Sequence, residues 1–384
     1  MSAIDLAAAE ELFAAATDGT VGLEEEFAVL DAGSLDLVPR FEELRDAAAA
    51  EDPVLAGAIA GELISSEIEI RSGRGDDIHD AVRRQRDARA RLFALAEGRG
   101  LALGATGTHP WADYREQRNI DTEHYRRVVD GLRYVARRNN TFSLHVHVGA
   151  RDVERAVRAS DRLRPVLPML LAISANSPYL DARDSGLHSA RSQSFTKSFP
   201  RCGIPDAYGS WQSYRDYIEF LMATGSIVEY TQVWWSIRPH LSFGTVEVRI
   251  CDAQSTATES EALSGLIVAC VLQALRDHDD RVPFADPPRR MVEENFWRAI
   301  RYGQDGALID LDRREEFPAA AAAERLLQWT APVRAELGIE PSFPALNGAQ
   351  RQRRAIDSGA SMQEVFGAAV RETSQTYVQE AKTA

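Results

Sequence analysis

The sequence predicts an α+β protein in which one mainly antiparallel sheet is followed by a layer of helices. Between residues 20 and 252, short segments place apolar side chains at every second position, which is the period of a strand. From about residue 259 onward the apolar spacing is helical, and we find no internal repeat or low-complexity linker. We therefore expect one domain over 1–384, with a sheet-bearing part at about 18–255 and a helical part at about 256–384.

The connections between the predicted strands are long enough to carry helices, so the strand order stays open. Strands are predicted at about 20–31, 62–71, 101–108, 141–149, 232–240 and 242–251. Helices are predicted at about 40–50, 77–99, 152–175, 210–223, 259–277, 288–301, 318–337, 348–357 and 362–382, and 114–138 is interpreted as loop followed by helix.

The first strand carries three successive glutamates. Leu23 and Phe27 fall on one face and can meet a core, whereas Glu24 and Glu26 project together from the other face. Glutamate is a poor strand former and neighbouring carboxylates repel, so the pair indicates either a solvated face or a bound cation. Glu25 lies on the apolar side, which predicts a sheet edge or a basic partner.

The second strand repeats this pattern. Ile68 and Ile70 point one way, and Glu67, Glu69 and Arg71 point the other. A second pair of carboxylates therefore shares a sheet face, now with an arginine beside it. Glu62, at the start of the segment, is a further candidate with a less certain role.

The fourth predicted strand places His145 and His147 on one face. Two histidines at positions i and i+2 of a strand can reach a single site. Near neutral pH, histidine serves as a metal ligand or as a donor to phosphate.

The last two strands add a carboxylate and two arginines. Glu247 and Arg249 share the face opposite the apolar residues of their strand, and Arg238 lies on the strand before it. Pro239 cannot donate a ladder hydrogen bond, so an edge or a bulge is expected there.

The segment 177–208 has weak periodicity and is predicted to be a long loop at the mouth of the site. Its basic side chains can meet phosphates or substrate carboxylates, or can be ordinary surface charge. They are Arg183, Arg191, Lys197 and Arg201.

Composition excludes several classes of protein. The 44 basic residues against 58 acidic ones give a net charge of −14, which argues against nucleic acid or an anionic membrane as partner. Three cysteines without CxxC spacing fit a reducing cytosol, and the N-terminal residues lack the features of a signal peptide. No apolar run is long enough to span a bilayer, so we expect a cytoplasmic protein.

The collected polar faces carry more acids than bases. Carboxylates at this density cannot all stay ionised when buried, but Mg²⁺ or Mn²⁺ would compensate them. Magnesium held by carboxylates beside arginines suits nucleotide phosphates. No GxxxxGK[ST] loop and no GxGxxG after a strand is present, so metals and side chains would hold the phosphates.

An ordered set of motifs resembles the type-2 glutamate–cysteine ligase family, and more narrowly its bacterial carboxylate–amine ligases. The motifs are Gly-Leu-Glu-Glu-Glu-Phe at 22–27, Glu-Leu at 62–63 with Glu-Ile-Glu-Ile-Arg at 67–71, His-Val-His-Val-Gly at 145–149, Arg-Pro-His at 238–240, Thr-Val-Glu-Val-Arg at 245–249 and Asn-Phe-Trp-Arg-Ala-Ile-Arg-Tyr-Gly at 295–303. Each motif alone is weak, but the set follows the family's order over about residues 20–303.

The resemblance implies a glutamine-synthetase-like catalytic fold, with a curved antiparallel sheet flanked by helices. It implies ATP and divalent metal ions as cofactors, and small-molecule substrates, an amino-acid carboxylate and an amine, that become an amide. The implied metal ligands are Glu24, Glu26, Glu67, Glu69, His147 and Glu247. For Glu67 the alternative is that it only supports a neighbouring ligand. The residues implied at the nucleotide are His145, His147 and Arg249, and the catalytic arginines are Arg249, Arg71 and Arg238.

Two other classes stay open at this point. A phosphoryl-transfer enzyme such as a guanidino-type kinase would use the same site without forming an amide. A non-catalytic relative that binds a metal or another ligand would keep the polar face of the site without catalysing a reaction. The physiological donor and acceptor, and assembly into a homo-oligomer, also stay open.

Overall fold

The computed structural model describes residues 5–379 and, at its C-terminal end, side chains up to residue 378. The strands are β1 (Val21–Asp31), β2 (Ile59–Ala60), β3 (Glu67–Arg71), β4 (Leu101–Gly104), β5 (Ser143–Gly149), β6 (Tyr179–Leu180), β7 (Arg183–Asp184), β8 (Cys202–Gly203), β9 (Trp234–Trp235), β10 (Ile237–His240), β11 (Thr245–Asp252), β12 (Ala307–Asp310) and β13 (Glu315–Pro318).

The helices include the C-terminal set that the sequence predicts. They are α1 (Leu6–Ala15), α2 (Phe41–Glu51), α3 (Pro53–Ala58), α4 (Ile78–Glu97), α5 (Glu123–Leu132), α6 (Tyr134–Arg137), α7 (Val153–Leu163), α8 (Leu167–Ser174), α9 (Trp211–Ala223), α10 (Ala257–Asp279), α11 (Arg289–Tyr302), α12 (Ala322–Trp329), α13 (Ala331–Leu337), α14 (Gly348–Asp357) and α15 (Met362–Gln379). The predicted helix 362–382 is therefore confirmed as far as Gln379, and residues 380–382 lie outside the described chain.

A seven-stranded sheet organises the protein around β1. Its order is β10–β11–β5–β1–β3–β2, and β4 also pairs with β1. Each pairing recorded in this sheet is antiparallel. The predicted α+β class with a mainly antiparallel sheet is therefore confirmed. Pro239 lies in β10 at the end of the strand order, as the missing amide donor requires.

Several predicted strand boundaries are wrong. The second strand begins at Glu67, because Ser65 and Ser66 direct their hydroxyls to Glu42 and Gln117 in an irregular segment. The third ends at Gly104. The segment 232–240 is broken, since β9 pairs in parallel with β8 in a small separate sheet and only β10 joins the main one.

Two other segments also differ from expectation. The predicted helix 318–337 starts later, because Pro318 closes the hairpin β12–β13 and a 3₁₀ turn precedes α12. The segment 177–208 is not a plain loop, since it contains the hairpin β6–β7 and a π-helical turn at Ser192–Thr196.

The two faces of the sheet have different surroundings. On the apolar face, α10 packs against α7 and β5, and α15 packs against α4 and β4. Leu23 and Phe27 are buried there. The polar face of β1 is turned toward loops and toward side chains of other strands. Glu24 and Glu26 therefore point into one common site.

The expectation that no apolar run is long enough to span a bilayer is wrong by length and composition alone, because one described helix meets both criteria. It is α10, and 78% of its most apolar window is buried inside the protein. Its apolar surface is therefore accounted for by the core.

Glu25 is the glutamate of β1 that points into the core. Arg89 of α4 donates from Nε to its Oε2 at 2.7 Å, and Gln85 Nε2 donates to the same oxygen at 2.8 Å. Ser260 of α10 also donates to Glu25. The expected basic partner is confirmed, and the pair ties β1 to two helices. Burial alone would raise the pKa of Glu25, but the Arg89 charge holds it below its ordinary value.

We predict that Arg89→Met lowers the free energy of unfolding by about 3–5 kcal/mol, because it leaves Glu25 charged and buried. Without the arginine, burial raises the pKa of Glu25 in the folded state above its unfolded value. The folded variant then binds more protons than the unfolded one, so the loss should be smaller at pH 5 than at pH 8. Urea denaturation at the two pH values measures this.

The matched control is Arg91→Met on the same helix. Arg91 pairs with Asp87 and Asp52 at the surface, and such pairs contribute less than about 1 kcal/mol. Equal losses in the two variants, or a loss at Arg89 that does not depend on pH, would contradict a buried charge pair.

Candidate active site

The strand register assembles the site from side chains of four strands. Glu24 lies opposite His145 on β5 and opposite Arg71 on β3. Glu26 lies opposite Glu69 on β3, and His147 lies opposite Glu247 on β11. Because residues two apart on a strand share a face, these groups form one continuous polar surface, which we call the acid row.

His147 joins two carboxylates at one end of the acid row. Its Nε2 lies 3.5 Å from Glu24 Oε1 and 3.7 Å from Glu247 Oε1. Its Nδ1 lies 3.0 Å from the hydroxyl of Thr245. Within residues 5–378, the buried Nε2 has no hydrogen-bond partner. If Nδ1 donates to Thr245, Nε2 presents a lone pair between two carboxylates, which suits a metal ligand.

His145 has a similar arrangement on the other side of Glu24. Ser143 donates its hydroxyl proton to Glu26 at 2.6 Å, so the His145 nitrogen at 2.7 Å from that oxygen must be the donor to it. The remaining nitrogen, Nδ1, then faces Glu24 Oε2 at 3.2 Å with a lone pair. Burial, with the charge of Arg249, lowers the pKa of His145, which keeps the ring neutral.

Three groups of carboxylate and imidazole atoms are close enough to hold a metal ion among the described residues. Within each group the ligand atoms lie within 4.8 Å of one another. The groups are Glu24, Glu69 and His145; Glu24, His147 and Glu247; and Glu26, Glu62 and Glu69. This oxygen-rich donor set fits Mg²⁺ or Mn²⁺, and the partnerless Oε2 of Glu67 lies buried in the same region.

The carboxyls near β3 have raised pKa values. Loss of water raises the pKa of Glu62 to about 8, and the charge of Glu26 adds to the effect. Burial, followed by the charge of Glu26, raises the pKa of Glu67 well above its usual range. Burial and the charge of Glu24 do the same for Glu69. These groups lack enough positive charge from the protein alone.

The opposite end of the acid row is better compensated. Burial alone would raise the pKa of Glu247, but Arg238 and Arg249 hold it well below its ordinary value. Arg238 Nε donates to Glu247 at 2.6 Å, and Arg249 donates to the other oxygen. Burial likewise would raise the pKa of Glu24, and His147 lowers it.

A small cavity opens at the Glu26 end of the acid row, with a volume of about 90 Å³. We call it the charged cavity. Its lining includes Glu26, Glu62, Glu67, His145, Arg191 and Arg249, with an aromatic wall of Tyr125, Phe195, Phe199 and Trp234.

A larger cavity of about 410 Å³ opens at the other end, beside Glu24 and His147. We call it the apolar cavity. Its lining includes Leu12, Ala15 and Ala16 of α1, Gly22 of β1, Arg71 and Arg74, and Phe243 of the β10–β11 turn. The acid row therefore connects two cavities of unlike chemistry.

The predicted arginines have different surroundings. Arg71 contacts Glu69 at 2.5 Å and lines the apolar cavity, and Arg249 lines the charged cavity. Arg238 lines neither of these two cavities, because it donates to Glu247 and to the carbonyl oxygens of Val233 and Thr231.

Of the basic residues predicted at the site mouth, one reaches the site. Arg191 lines the charged cavity, although its guanidinium donates to the carbonyl oxygens of Ile250 and Arg249. Lys197 pairs with Glu293, Arg201 donates to the carbonyl oxygen of Gln232, and Arg183 is exposed.

Sequence reasoning missed several lining residues. Ser143 shares the polar parity of His145, so its position was readable although its bond to Glu26 was not. His124 and Tyr125 of α5 line the charged cavity, and His124 is held by Glu229 at 2.6 Å. No periodic signal marks these residues, because separate segments bring them to the cavity.

Comparison with known proteins gives a consistent picture. Residues 20–383 match the family described as Glutamate-cysteine ligase family 2 (GCS2). A Solibacter usitatus protein provisionally named glutamate–cysteine ligase 2 is 36% identical over 361 residues, covering 92% of this chain and 93% of that protein. A glutamate–cysteine ligase of Natronomonas pharaonis is 34% identical over 346 residues, covering 88% of this chain and 92% of that protein.

Solved structures show the same fold at low identity. A glutamate–cysteine ligase from Francisella tularensis, in complex with AMP, has a TM-score of 0.67 and 13% identity, with 94% of this chain and 90% of that chain covered. A bifunctional glutathione synthetase from Pasteurella multocida has a TM-score of 0.66 and 13% identity, with 97% and 54% covered. The glutamine-synthetase-like fold implied by the motifs is thus confirmed.

We predict that Mg²⁺ or Mn²⁺ raises the unfolding temperature of the protein and that EDTA reverses the shift. A ligand at 100 times its Kd adds about 2.7 kcal/mol to the free energy of unfolding. Glu26→Gln should reduce this stabilisation, since it removes a charge from one of the three groups. In EDTA, the free energy of unfolding of the variant should be at most about 1 kcal/mol below that of the parent. The reason is that the neighbouring carboxylates repel the charge of Glu26 in the parent.

The control for this measurement is Glu43→Gln, which removes an exposed glutamate that pairs with Arg40 on α2. It should keep the full metal-dependent shift. If neither ion shifts the unfolding temperature of the parent protein, the acid row is not a site for these metal ions.

Proposed function

This chain belongs to glutamate–cysteine ligase family 2 and is a carbon–nitrogen ligase, and from that premise we propose that it uses ATP to join a carboxylate to an amine. The donor is the γ-carboxylate of glutamate, activated as an acyl phosphate. The observation that carries the proposal is the acid row itself, where three groups of side chains able to hold a metal ion lie between two unlike cavities.

The charge balance of the acid row supports a polyphosphate substrate. The site gathers six carboxylates (Glu24, Glu26, Glu62, Glu67, Glu69 and Glu247) and, besides Arg191, whose guanidinium donates to backbone carbonyl oxygens, three arginines (Arg71, Arg238 and Arg249). Divalent cations held by these carboxylates would neutralise the transferring phosphoryl group. ATP brings both the phosphates and, with them, its bound metal ions to such a site.

The charged cavity suits amino-acid substrates. Its carboxylates can meet an ammonium group, and Arg249 can meet a carboxylate or a phosphoryl oxygen. The buried Nε of Arg249 has no hydrogen-bond partner, so it keeps a donor for such a ligand. In this proposal Arg249 and Arg71 contact the reacting groups, and Arg238 positions Glu247 from behind.

The proposed reaction has two steps. A donor carboxylate oxygen bonds to the γ-phosphorus as the bond from that phosphorus to the bridging oxygen breaks, and ADP leaves. The amine nitrogen then bonds to the acyl carbon, the carbon–oxygen bond to phosphate breaks, and the amine gives its proton to a base or water. Both steps develop charge on phosphoryl oxygens, which fixed cations and arginines stabilise.

Cysteine is one acceptor for this reaction, and we propose that it is a poor one. A cysteine pocket needs only a small niche that tolerates a thiol, and no residue of the charged cavity marks it as built for cysteine. The resemblance to carboxylate–amine ligases also favours other amines. We therefore expect measurable but slow formation of γ-glutamylcysteine.

We predict that glutamate, ATP, Mg²⁺ and hydroxylamine without cysteine yield a γ-glutamyl hydroxamate. Hydroxylamine attacks an acyl phosphate, so the product reports carboxylate activation directly. The assay measures hydroxamate, ADP and phosphate, and omission of any one component should abolish the product. ADP without hydroxamate, for glutamate and every other carboxylate tested, would favour a kinase of the guanidino type instead.

We predict that Glu26→Gln and Glu247→Gln each lower turnover in this assay by more than about tenfold, which is ~1.4 kcal/mol of barrier. Glu247→Gln also leaves Arg238 and Arg249 less compensated, so a loss of stability is expected there as well. Glu26→Gln isolates the functional effect, and Glu43→Gln is again the control. Turnover within twofold of the parent for Glu26→Gln would contradict the proposed role.

A further inference from the structure

The apolar cavity contains an aromatic side chain that folding leaves uncovered. Phe243, in the turn between β10 and β11, is 56% exposed although it lines the wall of a cavity. Exposed single apolar residues are common, but this ring lies beside the acid row. Its centre is 5.5 Å from the ring centre of His147.

The ring of Phe243 is held from behind. It stacks on His240 with centres 4.2 Å apart and planes 11° from parallel. His240 in turn lies 3.0 Å from the hydroxyl of Tyr230, which accepts from the backbone amide of Ser242 at 3.3 Å. The exposed face of Phe243 is therefore presented by a fixed stack and not by a freely rotating side chain.

The opposite wall of the cavity comes from α1. Gly244 has φ +64, and a Cβ at this position would lie 3.2 Å from both Leu12 O and the Cβ of Ala16. The turn and the helix end thus meet closely below the cavity. Gly22 contributes no side chain to the same cavity, which leaves its floor open beside Glu24.

We propose that the apolar cavity binds the purine base of the nucleoside triphosphate and that Phe243 is the surface on which the base stacks. This rests on the proposed function and extends it to a binding site for the base. A neutral planar ring fits an apolar lining, and stacking on aromatic side chains is a general way of holding bases. The charged cavity, of about 90 Å³ and lined by several charged groups, is unsuited to the base.

The position of the cavity supports this assignment. Arg71 and Arg74 at its lining give positive charge on the path from the base to the acid row. Glu24 lines the apolar cavity and Glu26 lines the charged cavity, so about 7 Å of β1 separates the nearest ends of the two cavities. A base in the apolar cavity therefore directs its phosphates along the acid row toward the charged cavity, where the donor carboxylate lies.

The test compares two ligands that share phosphates but not a base. Binding of Mg·ATP and of Mg·tripolyphosphate is measured by calorimetry for the parent, Phe243→Ala and Phe243→Tyr. We expect Phe243→Ala to weaken Mg·ATP by about tenfold or more and to leave Mg·tripolyphosphate within twofold. Phe243→Tyr keeps an aromatic ring and should bind Mg·ATP within about threefold of the parent.

The kinetic counterpart uses the hydroxamate assay. Phe243→Ala should raise KM for ATP with kcat retained within about threefold, because stacking on a remote base binds ground and transition states alike. Phe220→Ala is the matched control, since Phe220 is 61% exposed on α9 outside the cavity. This variant should bind Mg·ATP and Mg·tripolyphosphate with the affinities of the parent.

The outcomes separate the two proposals. Unchanged Mg·ATP affinity in Phe243→Ala overturns the base site while the ligase reaction stands. Equal weakening of Mg·ATP and Mg·tripolyphosphate also overturns it, because the ring would then act only through His147. A parent protein that binds neither ligand, and forms no hydroxamate, refutes the proposed function itself.

Discussion

The structure depends on how one strand distributes three adjacent carboxylates. The two-residue period of β1 sends Glu25 into the core and Glu24 with Glu26 to the opposite face. In the core, Arg89 pairs with Glu25 and links the strand to α4. On the other face, Glu26 lies opposite Glu69, so the register brings two carboxylates together. The fold itself therefore creates an excess of negative charge that the protein does not neutralise.

Stability and function are consequently assigned to different glutamates of the same strand. A protein selected for stability alone would pair or remove Glu26 and Glu69, because repulsion between buried carboxylates raises the free energy of the folded state. The apolar face of the sheet, packed by α7, α10 and α15, supplies the stabilisation that offsets this cost. Cations that bind the acid row would stabilise the folded state and so offset part of this repulsion. Folding would then be coupled to cation binding.

The sequence predicted the acid row because it follows from local periodicity. Alternation alone placed Glu24, Glu69, His145 and Glu247 on polar faces, and antiparallel pairing then brought them together. Elements fixed by distant contacts were not predictable in this way. Glu62 reaches its position from an irregular segment, and the hydrogen bonds of Arg238 to carbonyl oxygens follow from a local fold that periodicity does not describe. Both cavities escaped prediction because their walls come from segments far apart in sequence.

The linear shape of the site has a consequence for the order of events. The acid row runs along β1, and its two ends open into cavities that differ in charge and size. In the proposed reaction, the phosphoryl group would move between substrates where both cavities meet the groups able to hold a cation, near Glu24 and Glu26. A nucleotide bound at one end and a carboxylate bound at the other are therefore brought together without sharing a pocket. If the nucleotide occupies the apolar cavity as proposed, the amine would arrive on the side of the charged cavity. In the proposed reaction, the direction of a single strand would thus set the spatial sequence of base, phosphates, donor and acceptor.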